Sequence, residues 1–102
     1  MSDINSLHNS LVARVLEAEG RASPEIRRAA FDNEGLAEPV RTFVDNVAHR
    51  ARMVTDADIG TLRKAGLSED QIYEIVVCAA IGQGTRQYQN ALAALIAATG
   101  RD

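Results

Sequence analysis

The sequence has a single cysteine, Cys78, and only two histidines, His8 and His49. One cysteine cannot form an intramolecular disulfide or an internal thiol pair, and it fits a reducing compartment. A structural metal site requires about four ligands, and neither histidine has a cysteine or carboxylate at a metal-binding spacing. We therefore expect no metal, no cofactor and no redox chemistry by a cysteine pair.

Long apolar runs are also missing, and we expect no secretory leader. The longest apolar stretch covers only residues 75–81, whereas a membrane-spanning helix needs about 20 apolar residues. Residues 1–5 lack the basic start and apolar run of a signal peptide. The net charge of −3 offers no general attraction for nucleic acid or anionic lipid. We expect a cytoplasmic protein that binds neither nucleic acid nor a membrane.

Proline and aromatic residues are scarce: the chain has two prolines, two tyrosines, two phenylalanines and no tryptophan. Alanine, leucine, glutamate and arginine are frequent instead, which favours helix. No segment alternates apolar and polar residues with a period of two, and 102 residues suffice for one hydrophobic core. We predict one all-helical domain over residues 1–102, a bundle of about five to six helices.

Apolar residues at three- and four-residue intervals predict the first three helices. The first begins at Ile4 and ends near Gly20. Ser23 caps a short second helix from Pro24 to about Asp32, and Pro39 begins a third. The inward positions are Leu7, Leu11, Val15 and Leu16 in the first helix and Val40, Phe43, Val44, Val47 and Ala51 in the third.

Two capping signals predict the remaining helices. Thr55 caps a fourth helix, Gly66 supplies the left-handed residue at its end, and Ser68 caps the next helix in a capping box. Glycines at Gly82 and Gly84 leave two alternatives, one long kinked helix or two helices in tandem. The inward positions here are Ile59, Leu62, Ile72, Ile75, Val76, Ala79 and Ala80, followed by Tyr88, Leu92, Leu95 and Ile96.

Residues 58–75 have the pattern of a helix-turn-helix, with two helices joined by a glycine turn. The second helix, however, opens with Glu69 and Asp70 and contains no lysine or arginine as far as Ile75. These carboxylates would face DNA phosphates. We interpret the segment as an ordinary helix corner.

His49 lies one helical turn after Asp45. Such a pair can orient a general base, although it is more often a surface pair. Cys78 lies inside the apolar run, where a thiol behaves as a small hydrophobic residue. Most positive charge lies mid-chain and forms either a solvated face or an anion site: Arg27, Arg28, Arg41, Arg50, Arg52, Arg63 and Lys64.

The sequence Leu-Arg-Lys-Ala-Gly-Leu-Ser-Glu-Asp-Gln-Ile at residues 62–72, followed by an apolar helix with Arg86, resembles the carboxymuconolactone decarboxylase-like proteins. This family includes the alkyl hydroperoxidase D group. The resemblance covers about residues 40–98, and its clearest elements are the Ala-Gly-Leu-Ser turn and Arg86. It implies an all-helical fold, a symmetric homo-oligomer, and an active site between helices or subunits.

The resemblance also bears on activity. Peroxidase-type members have a Cys-x-x-Cys pair and a histidine just before this turn, whereas residues 50–58 contain neither and Cys78 follows the turn. This departure argues against peroxidase or disulfide reductase activity. Decarboxylase-type members do not depend on the pair, so Arg52 or Arg86 could hold a small carboxylate while His49 or Asp58 moves a proton.

Three hypotheses follow from the sequence. The first is a non-catalytic or divergent member of this family that forms a homo-oligomer. The second is a small acid–base enzyme acting on an organic acid between helices, and the third is a helical interaction module. Self-association is expected because the last helix has, beside its Leu92 and Leu95 stripe, a small-residue flank at Ala91, Ala94 and Ala98.

Overall fold

The computed structural model describes residues 2–100, with side chains from residue 6 onward. Within this range the chain forms five α-helices, a short 3₁₀ turn at Ala51–Met53 and no strand. The prediction of an all-helical bundle is therefore confirmed. The helices are α1 (Ser2–Glu17), α2 (Pro24–Asp32), α3 (Val40–Arg50), α4 (Asp56–Lys64) and α5 (Glu69–Thr99).

The starts of α2 and α5 lie where local signals predicted them. Ile26 N donates a hydrogen bond to Ser23 Oγ at 3.2 Å, so Ser23 caps α2, which begins at Pro24. At the start of α5, Gln71 N donates to Ser68 Oγ at 3.1 Å, and Ser68 N donates to Gln71 Oε1 at 2.8 Å. This reciprocal pair is the predicted capping box.

The turn between α4 and α5 also follows its sequence signal. Gly66 has φ +103°, a conformation that side-chain-bearing residues rarely adopt. Leu67 N then donates to Leu62 O at 3.2 Å, which satisfies a carbonyl at the end of α4. Leu62 is buried and Leu67 packs against the core, so the turn fixes where α5 begins.

The long carboxyl-terminal segment is one continuous helix of 31 residues, which resolves the two alternatives. Gly82 is buried inside it, facing α2. A Cβ atom on Gly82 would collide with the carbonyl group of Phe31. Gly82 therefore allows the backbones of α2 and α5 to approach closely, whereas Gly84 is exposed with open space around it.

The core lies between α5 and the other helices. The α1 helix runs antiparallel to α5, because Val15 contacts Cys78 while His8 contacts Thr85. Buried hydrophobic residues form one cluster: Leu16, Ala30, Phe31, Val40, Phe43, Val44, Val47, Leu62, Ile72, Ile75, Cys78 and Ala79.

The predicted inward stripes are wrong at one end of the bundle. Leu7 is 72% exposed and Leu11 is 42% exposed, although both were expected to be buried. Tyr88, Leu92 and Leu95 are exposed as well, and the side chain of Ile4 lies outside the described residues. The reason is geometric: the buried residues of α5 end at Thr85, so the core stops before this end of α1 and α5. Ala51 and Ala80, which were also predicted to face inward, are exposed elsewhere in the fold.

Candidate functional site

The sequence predicted one anion site from four residues. The structure gives each of them different surroundings: Arg52, Arg86, His49 and Asp58. Asp58 belongs to the start of α4, where its Oδ2 accepts a hydrogen bond from Thr55 N at 2.9 Å. It also borders a cavity of about 240 Å³, which is lined by none of the other three. The local role of Asp58 is therefore that of a capping residue.

His49 forms the predicted pair with Asp45. Its Nε2 lies 3.7 Å from Asp45 Oδ1, one helical turn away, and both side chains are about half exposed. Arg50 Nη2 also approaches Asp45, at 3.5 Å. Arg52 lies exposed in the 3₁₀ turn that follows. This arrangement is a solvated charge network on the surface.

Arg86 connects α5 to the end of α2. Its Nη1 donates to Phe31 O at 2.6 Å, and its Nη2 donates to Gln83 Oε1 at 3.0 Å. The Phe31 carbonyl belongs to the last turn of α2, where carbonyls have no partner within the helix. Arg86 therefore closes the end of α2.

The structure does not bring these four residues together. Among the described residues, no hydrogen bond or ion pair joins any two of Arg52, Arg86, His49 and Asp58. We also find no cavity in this part of the chain that the four residues share. Their use as one anion site therefore stays a prediction.

Two adjoining cavities flank the loop between α1 and α2, residues 18–23. Their volumes are about 640 and 390 Å³, within the approximate range of 300–1,000 Å³ for small-molecule sites. Arg27 borders both cavities. The larger cavity lies between the loop and the α4–α5 turn, with an apolar wall of Ala22, Pro24, Ile26, Ala65, Leu67 and Ile75.

This loop is held in place by α5. The two carboxylate oxygens of Glu74 accept hydrogen bonds from Arg21 N at 2.8 Å and from Ala22 N at 3.2 Å. Gln71 Nε2 donates to Arg21 O at 3.3 Å. Sequence reasoning missed Glu74, although an acidic residue between the core positions Ile72 and Ile75 was the available signal.

Arg27 is a buried cation behind the loop, with only 5% of its surface exposed. Its Nη1 donates to Ala18 O at 2.6 Å and to Val15 O at 3.4 Å, so it caps the carboxyl end of α1. Its Nε is buried and has no hydrogen-bond partner among the described residues. Sequence reasoning placed Arg27 within a group of mid-chain cations and did not single it out.

Cys78 is buried on α5, as the sequence predicted. Its thiol donates to Val15 O at 3.4 Å. Burial raises the pKa of the Cys78 thiol; the nearby charge of Arg27 lowers that pKa and the charge of Glu74 raises it further. A buried thiol with a raised pKa is a poor nucleophile.

We expect Cys78 in the folded protein to react with a thiol-specific disulfide reagent at pH 8 about 100-fold more slowly than in denaturant. Alkyl hydroperoxide turnover should be absent in parallel assays. Labelling as fast as in denaturant, or hydroperoxide turnover that disappears in Cys78→Ala, would contradict this prediction.

An exposed apolar surface covers the other end of the bundle. We call it the α1–α5 stripe: Leu7, Leu11, Tyr88, Leu92 and Leu95. The rings of His8 and Tyr88 lie 5.8 Å apart, which places the two helices side by side here. His8 Nε2 also lies 3.1 Å from Thr85 Oγ1. The stripe therefore has members on two neighbouring helices.

Two absences concern only the described part of the chain. No group of three or more histidine, cysteine, aspartate or glutamate residues there is placed to hold a metal ion. None of the described helices combines the length and apolar character that crossing a bilayer requires.

Comparison with protein-family models, with curated proteins and with solved structures gave no match to this chain.

Proposed function

We propose that this chain is a self-assembling helical protein, a divergent and non-peroxidatic relative of the carboxymuconolactone decarboxylase-like proteins. Its functional form is a homo-oligomer built through the α1–α5 stripe. The exposure of that stripe is the observation that supports the proposal. Five large hydrophobic side chains form it, and a concentration of exposed apolar surface commonly marks a site of protein–protein interaction.

The charge pattern favours a second copy of the chain as the partner. Residues 87–99 on α5 contain no aspartate, glutamate, lysine or arginine, and neither do residues 6–13 on α1. A symmetric interface places one patch against itself, so charges of one sign would repel each other. A charge-free patch avoids this cost without requiring a complementary partner.

The shape of α5 also suits close packing between copies. Its last turns, about four, extend past the final buried residue, Thr85, and residues 87–99 span about 20 Å of helix. Ala91, Ala94 and Ala98 lie beside the larger side chains and are exposed. Small residues let two helix backbones approach closely, so two such segments can pack against each other.

The family resemblance agrees with this proposal, because it implies symmetric homo-oligomers with an all-helical fold. The turn at residues 65–68 forms as its sequence signals predict. Thiol peroxidase chemistry has no support here, since the only cysteine is buried. An acid–base reaction using Arg52, Arg86, His49 and Asp58 has no shared cavity to support it.

Light scattering after size-exclusion chromatography tests the proposal. The wild-type chain is expected to be a dimer or larger at micromolar concentration. Leu95→Glu should shift it to monomer with its helical circular dichroism retained, because Leu95 is 58% exposed within one chain and adds little to its core. A buried charge at the interface would instead oppose assembly.

Met53→Glu provides the matched control. Met53 is 70% exposed but lies in the 3₁₀ turn, outside the α1–α5 stripe. This variant should assemble like wild type. A wild-type chain that stays monomeric across concentration, or a Leu95→Glu variant of unchanged mass, would overturn the proposal.

A further inference from the structure

The guanidinium of Arg27 has one free edge. Its Nη1 is occupied by the carbonyls of Val15 and Ala18. Among the described residues, Nε has no partner and Nη2 donates no hydrogen bond. The Nε–H and one Nη2–H point to the same side of the planar group. This is an edge that a carboxylate binds through two parallel hydrogen bonds.

The charge of Arg27 is only partly compensated. Burying a cation is unfavourable unless an anion pairs with it. Within the described residues Arg27 takes part in no salt bridge. Glu74 uses its carboxylate oxygens on the amides of Arg21 and Ala22. The carbonyls at the end of α1 supply partial negative charge only.

The cavity beside Arg27 limits which anion fits. Its wall includes Ile26, Leu67 and Ile75, so it accommodates an apolar body. The lining has two arginines, Arg21 and Arg27, and two glutamates, Glu17 and Glu19, so its formal charges balance. Arg27 is the buried one of the two cations. In a lining of balanced charge, an anion with a single negative charge suits it better than a phosphate with two.

We infer that Arg27 anchors a binding site for a small monocarboxylate with an apolar body, in the cavity of about 640 Å³ between the α1–α2 loop and the α4–α5 turn. The carboxylate binds the Nε–Nη2 edge, and its apolar body lies against Ile26 and Leu67. Because Nε is buried, the surroundings of Arg27 must open locally for the second hydrogen bond to form. Arg27 and the α1–α2 loop lie outside the segment that carries the family resemblance, whereas the opposite wall of the cavity, at residues 65–67, lies inside it.

Sodium hexanoate is the probe for this site. Nuclear magnetic resonance of the full chain should show saturable shifts of the Arg27 Nε–H signal and of the Arg21 and Ala22 amides. The expected dissociation constant is about 1 mM or tighter. Hexanamide, which has the same apolar body without the charge, should bind about tenfold more weakly or not at all. Inorganic phosphate should also bind more weakly than hexanoate.

Arg27→Lys keeps the positive charge but removes the planar fork, so hexanoate affinity should fall about tenfold or more. Arg28→Lys is the matched control, since Arg28 is the adjacent exposed arginine and pairs with Asp32 on the outer face of α2. The affinity of the Arg28→Lys variant for hexanoate should equal that of wild type. If Arg27→Lys does not fold, the wild-type comparison of hexanoate with hexanamide decides the matter alone.

The inference is overturned if the wild-type signals do not shift saturably with hexanoate, if hexanamide binds equally well, or if folded Arg27→Lys binds as tightly as wild type. It is independent of self-assembly. The Leu95→Glu variant should retain hexanoate binding whatever its oligomeric state, because Leu95 lies far along α5 from the cavity beside Arg27.

Discussion

Replacing Gly82 with alanine is expected to lower the free energy of unfolding by about 3 kcal/mol. The added methyl group would collide with the carbonyl of Phe31 on α2. That obstacle is backbone, so no side-chain rotation relieves it, and α2 must move away from α5. The shift would also disturb the hydrogen bond between Arg86 and Phe31 O. Urea denaturation followed by circular dichroism, at one fixed protein concentration, measures the change.

Gly84→Ala is the matched control, two residues further along the same helix. No atom lies within 4 Å of a Cβ added there. Because alanine favours helix more than glycine does, this variant should gain about 0.5–1 kcal/mol. Equal effects at Gly82 and Gly84 would show that close backbone packing at Gly82 does not stabilise the fold.

Arg86→Met is expected to destabilise the chain by about 2 kcal/mol, because it removes a charged donor from the Phe31 carbonyl. The hydrogen bond is short, 2.6 Å from Arg86 Nη1 to Phe31 O, and partly buried. Methionine keeps much of the apolar stem of arginine, so the loss reports mainly on the hydrogen bond. The same denaturation assay provides the measurement.

Arg52→Met separates a structural role from a general effect of losing charge. Arg52 is exposed in the 3₁₀ turn, so its replacement should change stability by no more than about 0.5 kcal/mol. Gly82→Ala and Arg86→Met should also combine to less than the sum of their separate effects, because both act on Phe31 O. An Arg86→Met variant as stable as Arg52→Met would contradict the structural role of Arg86.

Local signals in the sequence were sufficient for the starts of three helices. Ser23, Thr55 and Ser68 each cap a helix through hydrogen bonds to residues within one turn. Gly66 ends α4 through its own backbone conformation. Such interactions span three to five residues, so a reader of the sequence alone can find them. The continuous helix through Gly82 could not be decided this way, because glycine is compatible with both a kink and a close contact.

The candidate site was less accessible to sequence reasoning. The predicted quartet consisted of residues whose chemistry suits an anion, yet Asp58 caps α4 and Arg86 caps α2. Arg27 was indistinguishable in sequence from the exposed Arg28 beside it. Only packing shows that Arg27 is 5% exposed and has a free guanidinium edge.

The sequence by itself therefore determined the helical class, the starts of α2, α4 and α5 and the lack of a cysteine pair, because each depends on composition or on neighbours along the chain. The tertiary structure decided which apolar positions are covered, leaving Leu7 and Leu95 exposed. It also decided which polar groups meet, as in the contact of Glu74 with Ala22 across 52 residues and that of Arg86 with Phe31 across 55. These contacts depend on how α5 packs against α1 and α2, and no local pattern encodes that geometry.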